Sequence, residues 1–468
     1  MPWSEAVRPV RMQRVAIVAP CETLRETLVR IAEAGNVEID RIDDPAHVAP
    51  GPAARRLQRL RAEPSGALLC AVPPDLDALE EAGRTDLLAG EAQLEERIGT
   101  AVRRGTVAAL AGWCPAADVR PTAARLADVG GVLVPMQTPG GIDPPTLLRG
   151  TGVVRGSFSP LVRTYGTVPY ADIDPTMPAG IVYVVMFGVM FGDAGHGALL
   201  LLIALLLYLG RPRRLTPLRR LWPFVAGAGL AATAAGVAYG EFFGPTGMLP
   251  VLWLDPLDQP MRLLAAVVGL GIALLALAYG AGIVNRWREG GLVNALYAAS
   301  GIAGALLFLG LAMLAGGVYL GLTTYTIGGV VLAVTGLALA GFGLFTASPG
   351  GAGGAVQTGV QLFDVVVRLG SNVFSFARLA AFGMTHAALG EIVWRGTSAL
   401  AGKGPAALLG AVIVFTVGNA LAFALEALVA GVQALRLEFY ELFSRVFETQ
   451  GRPFRPWQVP VQHTEVAS

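Results

Sequence analysis

Long apolar runs broken by short polar stretches fill most of the chain, while its first part alternates short apolar stretches with charged, periodic ones. The apolar runs fall at roughly 177–209, 221–243, 261–284, 292–320, 325–347, 358–394 and 405–447. Each reaches the roughly 20 residues that a spanning helix needs. The first run carries Gly192, Asp193, Gly195, His196 and Gly197 near its middle. Glycine turns the chain readily, so this run is read as a hairpin of two short helices of ~16 residues each. That makes about eight spans. The expected fold class is mainly α: a polytopic membrane helix bundle over residues 176–447 with a small N-terminal α/β domain over residues 1–175.

In the first part, Arg14–Pro20 reads as a short buried strand, Thr23–Ala34 as an amphipathic helix and Val37–Ile42 as a second strand. This β-α-β opening is a small α/β unit. Ala53–Ala62 is a short basic helix, Ala67–Val72 a candidate strand and Leu76–Arg104 a helical, charged stretch. Thr106–Trp113 and Gly131–Pro135 read as strands around another helix, and Asp143–Thr176 as a connector punctuated by Pro and Gly. No chemistry is expected here beyond docking. Residues 448–468 form a C-terminal tail.

Loop charges set the orientation. Arg211, Arg213, Arg214, Arg219 and Arg220 separate the first two runs, Arg286 and Arg288 the third and fourth, and the C-terminal end adds Arg445, Arg452 and Arg455. The loop from Gly244 to Pro260 is acidic, with Asp255 and Asp258. The positive-inside rule places the arginine clusters in the cytosol. Seven spans would then leave the N-terminal domain outside, whereas eight keep both termini cytoplasmic in a multi-pass protein of the cell membrane. Composition agrees: 54% hydrophobic residues, 15% charged and a mean hydropathy of +0.57 are too apolar for a soluble domain of this length. A net charge of +1 gives no argument for nucleic acid. Cys21, Cys70 and Cys114 are widely spaced, which fits a reducing compartment and neither a disulfide framework nor a metal site. The opening residues lead into a strand rather than a signal-peptide core. No cofactor is expected.

The stretch Val360–Trp394 is apolar yet carries Asp364, Arg368, Arg378, His386 and Glu391. A charge near the bilayer centre costs roughly 2.5–3.5 kcal/mol on insertion scales, so such residues usually mark an ion or substrate path. At about 100° and 1.5 Å per residue, Asp364 lies ~21 Å before Arg378 and His386 ~12 Å beyond it, on one broad stripe. An acid, an arginine and a histidine at graded depths have the layout of an ion pathway.

MFGVMFGDAGHG (Met186–Gly197), SNVFSFARLAAFGMTHAAL (Ser371–Leu389) and EALVAGVQALRLEFYELF (Glu426–Phe443) resemble the signatures of the large membrane subunit, called a or I, of V-type and archaeal-type rotary ATPases. The connector is similar in the same order, with Gly112–Pro115, Pro144–Leu148 and Tyr165–Thr176, as is the β-α-β opening. The resemblance implies a stator facing a ring of proteolipids, the c-ring, each with a buried carboxylate. Peripheral stalk subunits of the E/G type, central-stalk subunits and catalytic ATPase subunits would complete the complex.

It further implies that Arg378 is the essential arginine meeting the ring carboxylate, and that Arg436 is the family's second arginine. A guanidinium stays charged and its fork can pair a carboxylate, so it would favour the ionised ring site and block leakage between two half-channels. Glu426 and His386 are carried over as lining one half-channel for protons or sodium, and Asp364 the other. Gln433 and Glu438 stand where the family often has histidines, which places Glu438 in the ion path with altered wiring, and Ala388 replaces a usual glutamine. Only Ala53–Arg104 is available for the family's long helical arm, which suits a collapsed lobe.

Blander readings stand beside these. Arg378 as a helix–helix salt bridge, His386 and Asp364 as packing residues, and Asp193 and His196 as turn and capping residues are each open. Arg368 and Glu391 suit interfacial anchors, and Glu241 suits a loop as well as a channel mouth. The chain has no GxxxxGK[ST] loop, so it is not expected to be an enzyme by itself and ATP chemistry would belong to other subunits. The rival classes are a stand-alone transporter or channel, with Glu426 as the internal partner of Arg378, and a membrane scaffold with an inert channel remnant.

Overall fold

The computed structural model describes residues 8–40, 50–60, 66–148, 152–447 and 451–463, which fall into two compact units. One is drawn from Pro9–Arg149 and Gly451–Ser468. Its strand β1 (Met12–Pro20) turns Val15, Ile17 and Ala19 inward at every second position, the period of a half-buried strand. Helix α1 (Leu24–Ala34) buries Leu24, Leu28 and Ile31 and stops at Gly35, whose left-handed φ of 60° lets its N–H reach Ile31 O. After β2 (Glu38–Ile39) come α2 (Pro52–Leu60), β3 (Leu69–Cys70), α3 (Leu76–Glu81), α4 (Thr85–Thr100), β4 (Val102–Arg104), β5 (Val107–Pro115), α5 (Val119–Ala127) and β6 (Val132–Pro135).

The expected strands and helices form, with two differences. The sheet order is β2-β5-β1-β6, every pairing antiparallel, with β4 added beside β5. β5 therefore lies between β1 and β2, so the β-α-β opening is split and the topology is the ferredoxin-like double β-α-β. The single helical stretch expected over Leu76–Arg104 is broken at Gly83, whose φ is 64°. Its last three residues instead pair with β5 across a turn at Gly105, whose φ of 63° a glycine adopts without strain. Arg41, Ile42, Arg61 and Ala62, at the ends of two expected elements, lie outside the described residues.

The inserted arm closes on itself. α2, α3 and α4 bury Ala53, Leu79, Leu87 and Leu88 around Cys70. The tail from Gly451 belongs to this unit too: Trp457 and Val459 enter the main core, Trp457 N–H donates to Val37 O, and β7 (Val461–Gln462) pairs in parallel with β3.

The second unit is helical. α6 (Val153–Tyr165) leads to α7 (Thr176–Met190) and α8 (Ala194–Leu209), then a 3-10 segment (Arg213–Leu221), α9 (Trp222–Tyr239), α10 (Pro260–Tyr297), α11 (Ile302–Leu320), α12 (Thr323–Ala347), α13 (Gly351–Ala401) and α14 (Pro405–Leu437). Six helical stretches, Arg213–Tyr239 and α10 onward, are long and apolar enough to cross a membrane. α10 runs past Arg286 and Arg288 and is broken at Gly290 and Gly291, whose backbone is non-helical, so the residues from 292 to Tyr297 form a short helical piece of their own before α11. α13 has 51 residues, so at 1.5 Å each it is ~76 Å long against a ~30 Å hydrocarbon core. It must cross obliquely or run on beyond the core.

The first apolar run is two helices of 15 and 16 residues, α7 and α8. Both pack on α9, and their directions are opposite. Val184 and Gly188 meet Gly227 and Ala231 in parallel order, whereas Ala194 meets Gly236, Gly197 meets Thr233 and Tyr208 meets Trp222 in reverse order. The chain thus reverses at Phe191–Asp193. Small residues permit this approach: a Cβ at Gly236 would fall 2.1 Å from Ala194 N.

Candidate functional site

α13 and α14 form an antiparallel pair. Leu400 lies beside Gly410, Val414 beside Gly396 and Val393 beside Gly418. That register brings His386 to Glu426, and they are joined, Nδ1 to carboxylate, both buried. About two turns earlier on α13, the same register brings Arg378 level with Arg436, and the two guanidinium groups act on one another. Arg378 is half-buried and Arg436 exposed. Neither forms an ion pair among the described residues.

Beyond Arg436 the helix passes into a π-helical turn, Glu438–Phe443. Such turns insert a residue and recur at functional positions. Here Glu438 is 0% exposed, and its carboxylate oxygens have no hydrogen-bond partner among the described residues. Glu441, also buried, faces Ser375, Arg378, Arg445 and Arg436. The Asn372 amide, oriented to donate to Glu441 Oε2 at 2.8 Å and to accept from Arg445 at 2.8 Å, ties α13 to this turn.

A second polar cluster gathers where α7 gives way to α8. Asp193 caps α8: Oδ1 accepts from His196 N at 2.9 Å and Phe243 N at 3.0 Å, and Oδ2 from Gly244 N at 2.7 Å. The rings of His196 and His386 stand 5.5 Å apart, walled by Phe191, Phe243 and Phe423. Asn419 lies beside His196, and Glu241 acts on His386 together with Glu426 and Asp193. Ligand atoms of Asp193, His196 and His386 lie within 4.8 Å of one another, so these three could hold a metal ion. Gly192, Gly195 and Gly197 serve the packing around them, with Tyr239, Phe243 and Thr233 where a Cβ would go.

Of the residues singled out from the sequence, His386 and Glu426 meet, Arg378 and Arg436 come level, Glu438 is buried one turn further on, and Asp193 and His196 join the histidine cluster. Asp364 does not join Arg378: it is exposed and pairs with Arg368 at 2.8 Å within α13. Glu391 likewise pairs with Arg395 on the exposed face. Glu441, Asn372 and Asn419 went unnoticed in sequence. The π turn rotates Glu441 away from the azimuth that a regular helix would give it, and only the α13–α14 register reveals what it faces.

The unit containing the sheet offers no comparable site among its described residues. Arg25 pairs with the buried Glu91 at 2.5 Å and donates to Cys70 O and Ala71 O at 3.2 Å. Burial pushes the Cys114 thiol up to about 12, which leaves it protonated and unreactive.

Comparison with known proteins follows the same line. The model of the V-type ATPase 116kDa subunit family matches residues 100–216. The A-type ATP synthase subunit I of Pyrococcus horikoshii is 26% identical over 325 residues, covering 66% of this chain and 47% of that protein. That of Archaeoglobus fulgidus is 28% identical, covering 74% and 58%. The V-type ATP synthase subunit I 2 of Treponema pallidum is 32% identical over a shorter stretch, covering 31% and 34%. The chain spans about half the length of the curated archaeal relatives it matches.

Proposed function

The chain belongs to the membrane subunit a/I family of V-type and A-type rotary ATPases, and on that premise we propose that it is the stator past which a proteolipid ring carries protons or sodium ions. The observation that carries this reading is Arg378: a guanidinium midway along a mostly apolar helix, half-buried, beside a second arginine and joined to no carboxylate of its own chain among the described residues. A charge in that setting costs roughly 2.5–3.5 kcal/mol unless a partner meets it. A buried carboxylate on a passing ring would be that partner. The bidentate fork would hold the carboxylate ionised while its proton leaves.

Two polar clusters flank the arginine pair and would serve as the half-channels. On one side His386, Glu426, His196 and Glu241 would relay ions towards the end of the bundle where residues 240–259 connect α9 to α10. On the other, Glu441, Glu438 and Asn372 would do so beside Arg445. Asp364 is assigned to the mouth of that second path, since it is exposed and paired with Arg368. Eight crossings, counting α7 and α8 as a hairpin of short spans, would place both termini on the cytoplasmic face. Residues 1–175, with their closed helical arm, would dock E/G-type peripheral stalks, and the tail from 448 would reinforce that lobe. ATP chemistry would be supplied by the catalytic and central-stalk subunits.

A stand-alone transporter would need an internal acid for Arg378; Glu426 is committed to His386, and Glu441, which faces Arg378, is shared with Arg436 and Arg445 and forms no ion pair with Arg378 among the described residues. The test is purification of the full chain in mild detergent with every co-purifying band identified. A small proteolipid together with ATPase subunits supports the stator. A chain that elutes alone and still moves ions in liposomes overturns it.

A further inference from the structure

We propose that Asp193, His196 and His386 form a binding site for a divalent transition-metal cation, Zn2+ being the ion that their donors suit best. Where the half-channel reading holds, the bound ion would sit in that path and stop ion flow; the binding itself does not depend on that reading.

The geometry lies close to what the metal requires. Zn–N bonds of ~2.0–2.1 Å in a tetrahedron set donors ~3.3 Å apart. The three donors already lie within 4.8 Å of one another, so an adjustment of up to ~1.5 Å, taken up by Asp193 and His386 while the His196 ring keeps its place, would complete the site. His386 is prepared for it. Glu426 holds Nδ1, which leaves Nε2 as the ligating nitrogen, and a carboxylate behind a histidine is the usual outer support of a metal-bound imidazole. Asp193 accepts three backbone N–H groups, and a carboxylate has about four acceptor positions, so one remains for a single metal–oxygen bond. Two imidazoles and one carboxylate leave a fourth position open to water or Glu241.

His196 is the second, independent observation. It is 2% exposed, and Asn419 is the side chain that lies beside it, so at least one of its two ring nitrogens has no hydrogen-bond partner among the described residues. Phe191, stacked on it, and Phe243 and Phe423, edge-on, leave the ring little room to turn. A buried imidazole nitrogen without a partner is costly, and a metal–nitrogen bond removes the cost. The charges also fit a cation. Asp193, Glu241 and Glu426 all act on His386, so three carboxylates gather around the imidazoles. Imidazole donors exclude Mg2+ and Ca2+, which take oxygen ligands, and suit Zn2+ and its neighbours in the first transition row.

The test titrates Co2+, a coloured stand-in for Zn2+, into the detergent-purified protein with whatever subunits accompany it. An intense visible band of tetrahedral type that Zn2+ bleaches is expected. His196→Ala should weaken Co2+ at least ~10-fold, and Glu426→Gln, which removes the support behind His386, by ~10–100-fold. Glu391→Gln, on the exposed face, should change nothing. His386→Gln, whose volume is close to that of the parent, repeats the test should His196→Ala fail to elute as a folded protein. No band in the wild type, or binding that survives both histidine substitutions, overturns the site. Tight Zn2+ binding that leaves ion flow through the reconstituted complex untouched would sustain the site and count against the half-channel reading of this cluster.

Discussion

Replacing Asp193 separates a structural carboxylate from an ion carrier. Its two oxygens accept three backbone N–H groups, from His196 at 2.9 Å, Phe243 at 3.0 Å and Gly244 at 2.7 Å. The first is an N-terminal donor of α8, and the other two fix the segment after α9 against the α7–α8 reversal. Asp193→Ala strands all three where water is scarce. Each stranded buried donor costs about 1–3 kcal/mol, and the cap alone about 1 kcal/mol, so a total of ~4 kcal/mol is expected. Asp193→Asn keeps one carbonyl oxygen in place and should lose only ~1–2 kcal/mol. At roughly 2 °C per kcal/mol for a unit of this size, the Ala variant should melt ~8 °C and the Asn variant ~3 °C below wild type. The assay is thermal unfolding of the detergent-purified chain followed by tryptophan fluorescence. An Ala variant that melts with the wild type, or an Asn variant as damaged as the Ala variant, would refute the capping argument and free Asp193 for proton carriage.

Three further outcomes follow. Burial, and after it the neighbouring Glu289, pushes the Asp172 carboxyl up to about 8, whereas an unfolded aspartate titrates near 3.9. The folded chain then holds a proton that the unfolded chain has lost, so stability falls as pH rises through that window. Melting curves from pH 5 to 9 should show the wild type losing ground to Asp172→Asn, and parallel curves would contradict this. Trp457 is 7% exposed in the core beside the sheet, so Trp457→Ala should cost about 3–5 kcal/mol. Faster hydrogen exchange around Val37 and Leu69 should report it, and unchanged exchange would mean the tail is not part of that core. Gly236→Ala should destabilise because its Cβ would fall 2.1 Å from Ala194 N, whereas Gly280→Ala meets nothing within 4 Å and should be neutral or better. Equal melting points for the two would argue against the tight α8–α9 crossing.

Much of this was legible in the residues because local chemistry dictated it. The short apolar stretches Arg14–Pro20 and Thr106–Trp113 read as strands, and the glycines around Asp193 mark the reversal that separates α7 from α8. What stayed hidden depends on partners distant in sequence. Nothing in Val37–Ile42 says that β5 will insert beside it, and nothing in the tail says that Trp457 will enter a core begun near residue 15. Asp364 and Arg378 share a helical stripe but lie ~21 Å apart along it. Asp364 finds Arg368 one turn away, a contact available without any tertiary partner. His386 and Glu426 were assigned to one path from the resemblance, but their direct contact follows only from the α13–α14 register. Glu441 was obscured by the π turn, which shifts the phase of every residue after Leu437.

The most direct test of the stator reading is ATP-driven ion uptake by the purified, reconstituted complex carrying Arg378→Gln. The substitution keeps side-chain length and some hydrogen bonding while removing the charge. If Arg378 is the group that meets the ring carboxylate, uptake should fall to background while the proteolipid and ATPase subunits co-purify in wild-type amounts. Uptake at half the wild-type rate or more, from an intact complex, would contradict the account.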